Sequence, residues 1–501
     1  MKKIATLLLA AGLLFSAAGM AQAIDFKIRG QWIMAFDYGE HGAFTGGNGM
    51  TGYKKGNEDN FEARQRLRLQ LDAVASENLS GSVIFEMGDQ IWGQSATGGA
   101  LGADGTVVEV KNAWLDWMVP DTDIKVRMGL QGFFLPSMTT GSQVWGDDAA
   151  GITASWQINE NVALTALWAR LYNDNFQGYG DDGLRKNYMD NVDVAALLLP
   201  LTFDGFRLTP WAMYAGIGPN SLDADHANDW KSVGVSGIQY LAGMLPAGGA
   251  SHNSRMDLYG NAFWAGLTGE LTLLDPWRIA WDLNYGSVSY DDTSANRAGW
   301  LASLLVEYDL GWTKPGIYGW YGSGDDSNPR NGSERMPVVS ANGNNQFSNF
   351  AFNGNPYIAR EGVLGSTMVG TWGIGARLKD MSFLEDLKHT LRVNFMGGTN
   401  APKMAKYVGQ DLGKRGVYDV NGRANAYDPM YLTTDDYALE IGLTNTYKMY
   451  DNFTVMLDAA YVALWLDDSR STWGKNPGRS ALGGDGVYDA WNVNLSFVYS
   501  F

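Results

Sequence analysis

The sequence predicts an all-β fold: a transmembrane antiparallel β-barrel of about eighteen strands, with sixteen as the alternative. Three observations predict it. Polar and apolar side chains alternate residue by residue, the connections alternate short and long, and the composition is rich in glycine and aromatics with no cysteine. The stretch FEARQRLRLQLD (61–72) shows the alternation most plainly. Glu62, Arg64, Arg66, Arg68, Gln70 and Asp72 share one side, and Phe61, Ala63, Gln65, Leu67, Leu69 and Leu71 the other. Leu, Arg and Gln favour a helix by propensity. On a helix, however, residues two apart point about 200° apart, whereas on a strand they share a face. The spacing therefore outweighs the propensity.

The strands can be placed in order. The first puts Phe26, Ile28, Trp32, Met34 and Phe36 against Lys27, Arg29, Gln31 and Asp37. Further strands fit at 60–75, 80–92, 106–119, 124–134, 150–158, 161–172, 189–200, 205–217, 256–273, 277–290, 298–310, 315–324, 365–379, 388–399 and 436–450. Two more end the chain. One aligns Phe453, Val455, Leu457, Tyr461 and Trp465. The last aligns Trp491, Val493, Leu495, Phe497, Tyr499 and Phe501 against Asn492, Asn494 and Ser496.

Short links such as Glu77-Asn78-Leu79-Ser80, Pro120-Asp121-Thr122-Asp123 and Asp451-Asn452 carry turn-forming residues. Between them lie long polar stretches, at 39–59, 93–105, 135–149, 173–188, 218–254, 325–363, 400–435 and 467–487. Long loops gathered at one end suit a membrane barrel, with short turns at its periplasmic rim. A bilayer also demands that all backbone polar groups pair within the protein, which a closed ring achieves. A ring this wide holds water, so the arginines face the lumen and the leucines face lipid.

The chain opens MKKIATLLLAAGLLFSAAGMAQA. A basic start, an apolar core and Ala21-Gln22-Ala23 predict a signal peptide over 1–23, cleaved after Ala23. One barrel domain over 24–501 follows, exported to the Gram-negative outer membrane. No later segment offers the roughly 20 apolar residues of a membrane helix. Loss of Lys2 and Lys3 takes the formal charge from −17 to −19, which argues against nucleic acid as a partner. Without cysteine there is no disulfide framework, and four scattered histidines give soft metals little to bind. No cofactor or metal is expected.

Several features together resemble the outer-membrane porins. The terminal VNLSFVYSF is similar to the closing strand of such barrels; the resemblance implies that Phe497, Tyr499 and Phe501 form the assembly signal. FEARQRLRLQLDAVASENLSGSVIFEMGDQIWG (61–93), VRMGLQGFFLPS (126–137) and GSQVWGDDAAGI (141–152) look like segments of the homotrimeric porins of Desulfovibrio-type sulfate-reducing bacteria. That resemblance implies a homotrimer in outer-membrane lipid, passing small hydrophilic solutes and ions. It further implies that the third external loop, 135–149, folds inward and sets Asp147 and Asp148 against a basic wall.

That wall comprises Arg29, Arg64, Arg66, Arg68, Lys125 and Arg127, all on lumenal parity. Opposed charges across confined water would bias which ion passes. The bland reading pairs these arginines with wall carboxylates such as Glu62 and Asp72. Asp147 and Asp148 could equally form an ordinary solvated turn. Trp114, beside Asp116, has lumenal parity, whereas Trp32, Trp117, Trp281, Trp465 and Trp491 do not, so a sugar-guiding aromatic track is weakly supported. Loop acids (Asp223, Asp225, Asp325, Asp326, Asp435, Asp436) show no spacing that singles out a Ca²⁺ site. His252-Asn253-Ser254 supplies hydrolase residue types without evidence of their geometry. The expectation is therefore a non-enzymatic general diffusion porin. The alternatives are a substrate-specific channel for a sugar or an anion, or an adhesive surface protein with a plugged lumen.

Overall fold

The computed structural model describes residues 24–40, 61–102, 105, 108–173, 189, 191–222, 242–246, 258–340, 345–359, 362–405, 431–467, 469, 471–473 and 489–501. The expected leader, His41, His226, Asp223, Asp225 and the His252-Asn253-Ser254 stretch lie outside the described residues.

Eighteen strands follow one another around a single sheet. They are β1 (Asp25–Glu40), β2 (Phe61–Ser76), β3 (Leu79–Ile91), β4 (Val108–Met118), β5 (Ile124–Phe134) and β6 (Gly146–Asn159). Next come β7 (Val162–Tyr172), β8 (Val192–Leu198 continued by Leu201–Phe203), β9 (Phe206–Ile217), β10 (Gly260–Leu271), β11 (Trp277–Ser289) and β12 (Arg297–Tyr308). The last are β13 (Lys314–Gly322), β14 (Thr371–Leu384), β15 (Leu387–Gly398), β16 (Tyr437–Tyr450), β17 (Phe453–Trp465) and β18 (Ala490–Ser500). The gap in β8 falls at Pro200, which has no N–H for the ladder. Both pieces pair with β9, and the Pro200 carbonyl still accepts from Ala163 at 3.0 Å. It is one strand.

Every strand pairs antiparallel with its chain neighbours. β18 then pairs with β1, from Gln31 opposite Ser500 to Glu40 opposite Trp491. Phe501 completes the seam: its N–H donates to the Gly30 carbonyl at 3.0 Å, and its carbonyl accepts from Gly30 at 2.8 Å. No strand edge is left to template aggregation or to meet lipid unpaired. The ring has eighteen strands, not sixteen.

Register decides the faces. Asp72, Gln70 and Arg68 stand opposite Lys27, Arg29 and Gln31, while Leu71, Leu69 and Leu67 stand opposite Ile28, Gly30 and Trp32. The apolar set is exposed on the outside, with Trp32, Leu115, Trp156, Leu283, Ile317, Ile374 and Ile441 among it. Such a belt is stable in hydrocarbon and unstable in water.

The interior departs from the expected water-filled ring. The lumenal face from β8 round to β15 carries a dry core: Val194, Trp211, Met213, Trp264, Leu301, Leu305, Trp320 and Met396 are all buried. What covers them is the long connection 323–370 between β13 and β14, which supplies Met336, Val338, Phe347, Phe350, Phe352, Leu364 and Met368. Counting external connections in chain order, this is the seventh, L7. Residues 135–145, between β5 and β6, are the third, L3. Glycine makes room for the large rings: a Cβ on Gly373 would fall 2.3 Å from the Trp320 ring across the β13–β14 ladder. Loop and wall side chains together fill this side of the barrel.

Candidate functional site: a basic wall facing two infolded loops

The wall of β1 to β5 stays accessible from the lumen. On it Arg29, Lys125, Arg68 and Arg127 keep 65%, 48%, 34% and 34% of their side-chain surface exposed. The strand ladder spaces these cations and neighbouring strands supply their counter-charges. Arg29 reaches Asp72 at 3.0 Å, Arg64 pairs with Glu62 and Arg68 with Glu86. Asp116 receives both oxygens' worth of Arg127, at 2.7 and 2.8 Å, and also Lys125 at 3.2 Å. Arg127 lies over the Trp114 ring at 4.6 Å, with β5 brought close there by Gly129, whose φ of +131° suits only glycine. Arg66 is held most loosely: Asp89 is 3.6 Å away, and its buried Nε has no hydrogen-bond partner among the described residues.

L3 leaves the wall where Pro136 ends the run of ladder donors after β5. The Phe133 and Trp145 rings stack at 5.0 Å and pin its base. Its tip crosses to β11, where Asp282 accepts from Ser137 Oγ at 2.6 Å, Met138 N at 2.9 Å and Thr139 N at 3.1 Å. The Thr139 hydroxyl also donates to Asp282 and touches Ser303 Oγ at 2.7 Å. Four of those contacts bring a donor to the Asp282 carboxylate, so its buried oxygens are hydrogen-bonded.

L7 docks on L3 and on the far wall. Val144 O of L3 accepts from Val339 N at 2.9 Å and Ser340 N at 3.1 Å, and Gln143 Oε1 accepts from Met368 N at 2.9 Å. The Trp264 indole donates to the Pro337 carbonyl at 2.9 Å. At the L7 tip, Glu440 Oε1 from β16 accepts from Asn349 N at 2.9 Å, Phe350 N at 2.7 Å, Ala351 N at 3.0 Å and Ser348 Oγ at 3.1 Å. Its Oε2 accepts from Asn394 Nδ2 at 2.8 Å. Successive backbone N–H groups converging on one oxygen form an anion nest. Arg377 and Arg392 both donate to the Gln346 carbonyl, at 2.9 and 3.2 Å. Further round, Asn494 donates to the Ile358 carbonyl at 3.1 Å, and Ile358 packs on Ile33 and Ala35.

Two sequence-based expectations change in detail. Asp147 and Asp148 are not on the loop, because β6 begins at Gly146, paired with Phe134. Asp148 binds Lys111 and, at 2.9 Å, Asn112. Asp147 accepts from Ser340 of L7 at 2.9 Å. Neither is bonded to the six wall cations among the described residues. The counter-charges of those cations come from wall carboxylates. The infolded loop instead meets Asp282, and Glu440, Glu307, Arg278, Arg377 and Arg392 carry much of the loop anchoring; none of these was singled out from sequence. Parity was the available signal, since Asp282, Glu307 and Glu440 stand at lumenal positions of strands whose other face is apolar.

No protein-family pattern matches the chain, and no curated protein is similar to it. Solved structures are similar in fold. The crystal structure of Pseudomonas aeruginosa OpdQ superposes with a TM-score of 0.50 at 10% identity, covering 95% of this chain and 98% of that one. P. aeruginosa OpdK with vanillate gives 0.48 at 9% identity (95% and 98%), and P. aeruginosa OccK3 (OpdO) 0.48 at 11% (95% and 96%). The likeness is to Opd and Occ proteins, and nothing in it supports the narrower resemblance to Desulfovibrio-type homotrimeric porins. What the chain shares with OpdQ is the fold, a closed antiparallel barrel of eighteen strands.

Proposed function

We propose that the chain is an outer-membrane channel selective for small anions, carboxylates above all, rather than a general diffusion pore. The observation that carries this reading is the division of the lumen. One wall is sealed by L3 and L7, and the accessible wall is the one lined by Arg29, Arg64, Arg66, Arg68, Lys125 and Arg127. A solute moving along it exchanges hydration for guanidinium donors, whose fork geometry fits a carboxylate. Paired carboxylates keep each cation from binding so tightly that release fails, a condition conduction requires. Asp147 and Asp148, at the base of L3, set the acidic margin of the same passage. The apolar outer belt supports a position in outer-membrane lipid, and the rule for such barrels puts the short turns on the periplasmic side.

The test is Arg66→Glu and Arg127→Glu in planar bilayers under a salt gradient. Both are expected to move the reversal potential towards cations, and to weaken current block by a monocarboxylate about tenfold or more, taking roughly 1.5 kcal/mol as the lower worth of one charge-assisted contact. Unchanged reversal potential and block in both variants refute the reading. Saturable block by a sugar instead would favour a sugar channel.

A further inference from the structure

We infer that Glu307 on β12 couples L3 to L7, so that the two loops hold the lumen narrowed as one unit. Glu307 is almost fully buried. Its Oε2 accepts from Arg278 Nη1 at 2.9 Å, and its Oε1 from Arg377 Nη2 at 2.7 Å and Nε at 3.0 Å. Each arginine continues to a different loop. Arg278 Nη2 donates to the Met138 carbonyl at the L3 tip, at 3.0 Å, and to Glu270 at 2.9 Å. Arg377 Nη1 donates to the Gln346 carbonyl at the L7 tip, at 2.9 Å. The path from Met138 through Arg278, Glu307 and Arg377 to Gln346 is an unbroken run of hydrogen bonds, all four steps charge-assisted, the middle two at both ends.

The wall is shaped for that run. Glu307 and Arg377 sit on β12 and β14, with β13 between them, and the residue opposite both is Gly316. A Cβ there would lie 2.9 Å from the Glu307 Cγ, so any larger residue obstructs the crossing. The direct contacts of the loops, Val144 with Val339 and Ser340 and Gln143 with Met368, lie at the base of L3 and not at its tip, residues 137–139. Coupling of the tips therefore runs through the shared carboxylate. When L3 lets go of Arg278, that guanidinium is left with Glu307 and Glu270 alone and settles closer to them, and Glu307 slackens its grip on Arg377. A buried charged group responds strongly to such a change because a lost partner is not replaced by water.

The chain has no cysteine, so Ser348→Cys, at the buried L7 tip, reports opening of L7 by its maleimide labelling rate in reconstituted full-length protein. Thr139→Val removes the L3 hydroxyl that reaches Asp282 and Ser303. In the Ser348→Cys background it is expected to raise the labelling rate roughly threefold or more, within the range of measured coupling effects. Adding Glu307→Gln abolishes that response, and so does Gly316→Ala, which changes no charge. The heat-dependent gel mobility of each variant confirms a folded barrel, and Gly316→Ala decides the matter if Glu307→Gln does not fold. A response to Thr139→Val that persists undiminished with Gly316→Ala assigns the coupling to the loop bases and overturns the proposal, as does the absence of any response in the starting background.

Discussion

Glu440→Gln isolates the hold on the L7 tip, because it keeps the shape and removes the charge. Four donors meet Oε1 of Glu440, three of them consecutive backbone N–H groups. A hydrogen bond to a charged group contributes about 1.5–3 kcal/mol against about 1 kcal/mol for a neutral pair. Over four bonds the substitution therefore removes roughly 2–8 kcal/mol. The amide also turns an NH₂ towards Asn394 Nδ2, itself a donor at 2.8 Å in the parent protein. Relief of the desolvation of a buried carboxylate opposes these losses. A net weakening of about 2 kcal/mol remains, which at 1.4 kcal/mol per decade raises the population of the lifted tip roughly 30-fold. Single-channel recording reads this as more frequent excursions to a larger conductance, with barrel assembly intact. Identical dwell times and conductance levels in Glu440→Gln and the parent would refute the reasoning that L7 is held by this nest.

Three further outcomes follow from the same structure. Trp264→Ala removes a fully buried ring and the bond to Pro337; it should cost about 3–5 kcal/mol at that site and raise conductance while lowering the unfolding midpoint in denaturant. Asp282→Ala leaves the L3 donors at residues 137–139 without their acceptor, and should raise L3 protease sensitivity in detergent while leaving the β-signature of circular dichroism unchanged. Deleting Phe501 removes both of its seam bonds to Gly30 and should reduce the heat-stable folded fraction on gels, with Phe501→Tyr restoring it.

The outward half of the fold was legible in the sequence and the lumenal half only in part. Alternation works where one face is apolar and the other polar, as in β2, and there the strand and the division of its two faces were recoverable. β8 and β9 read less cleanly, because Val192, Val194, Trp211 and Met213 face inward and are as apolar as the residues facing lipid. That loss of contrast was itself a signal that something covers them. L7 lies so far in sequence from β16 that the meeting of Asn349 with Glu440, 91 residues apart, has no local trace. The wall cations stand beside polar partners across the ladder, Arg29 opposite Gln70 and Arg127 opposite Asp116, because parity is a local property. Their partners did not come from Asp147 and Asp148, since a boundary four residues earlier than expected put both acids into a strand. Helix-like composition in RQRLRLQL was overruled by pairing, since every residue but Arg66, at a register shift against β3, gains ladder partners on both sides.

The central claim is that the open path is a basic wall that prefers carboxylates. Its most direct test is planar-bilayer recording of the purified protein, titrating a monocarboxylate and the amide of the same carbon skeleton. The account predicts an anion-leaning reversal potential and saturable block by the carboxylate at concentrations where the amide has no effect. Equal, non-saturating behaviour of the two solutes with a cation-leaning reversal potential would contradict it, and would leave a general diffusion pore governed by its acidic surface.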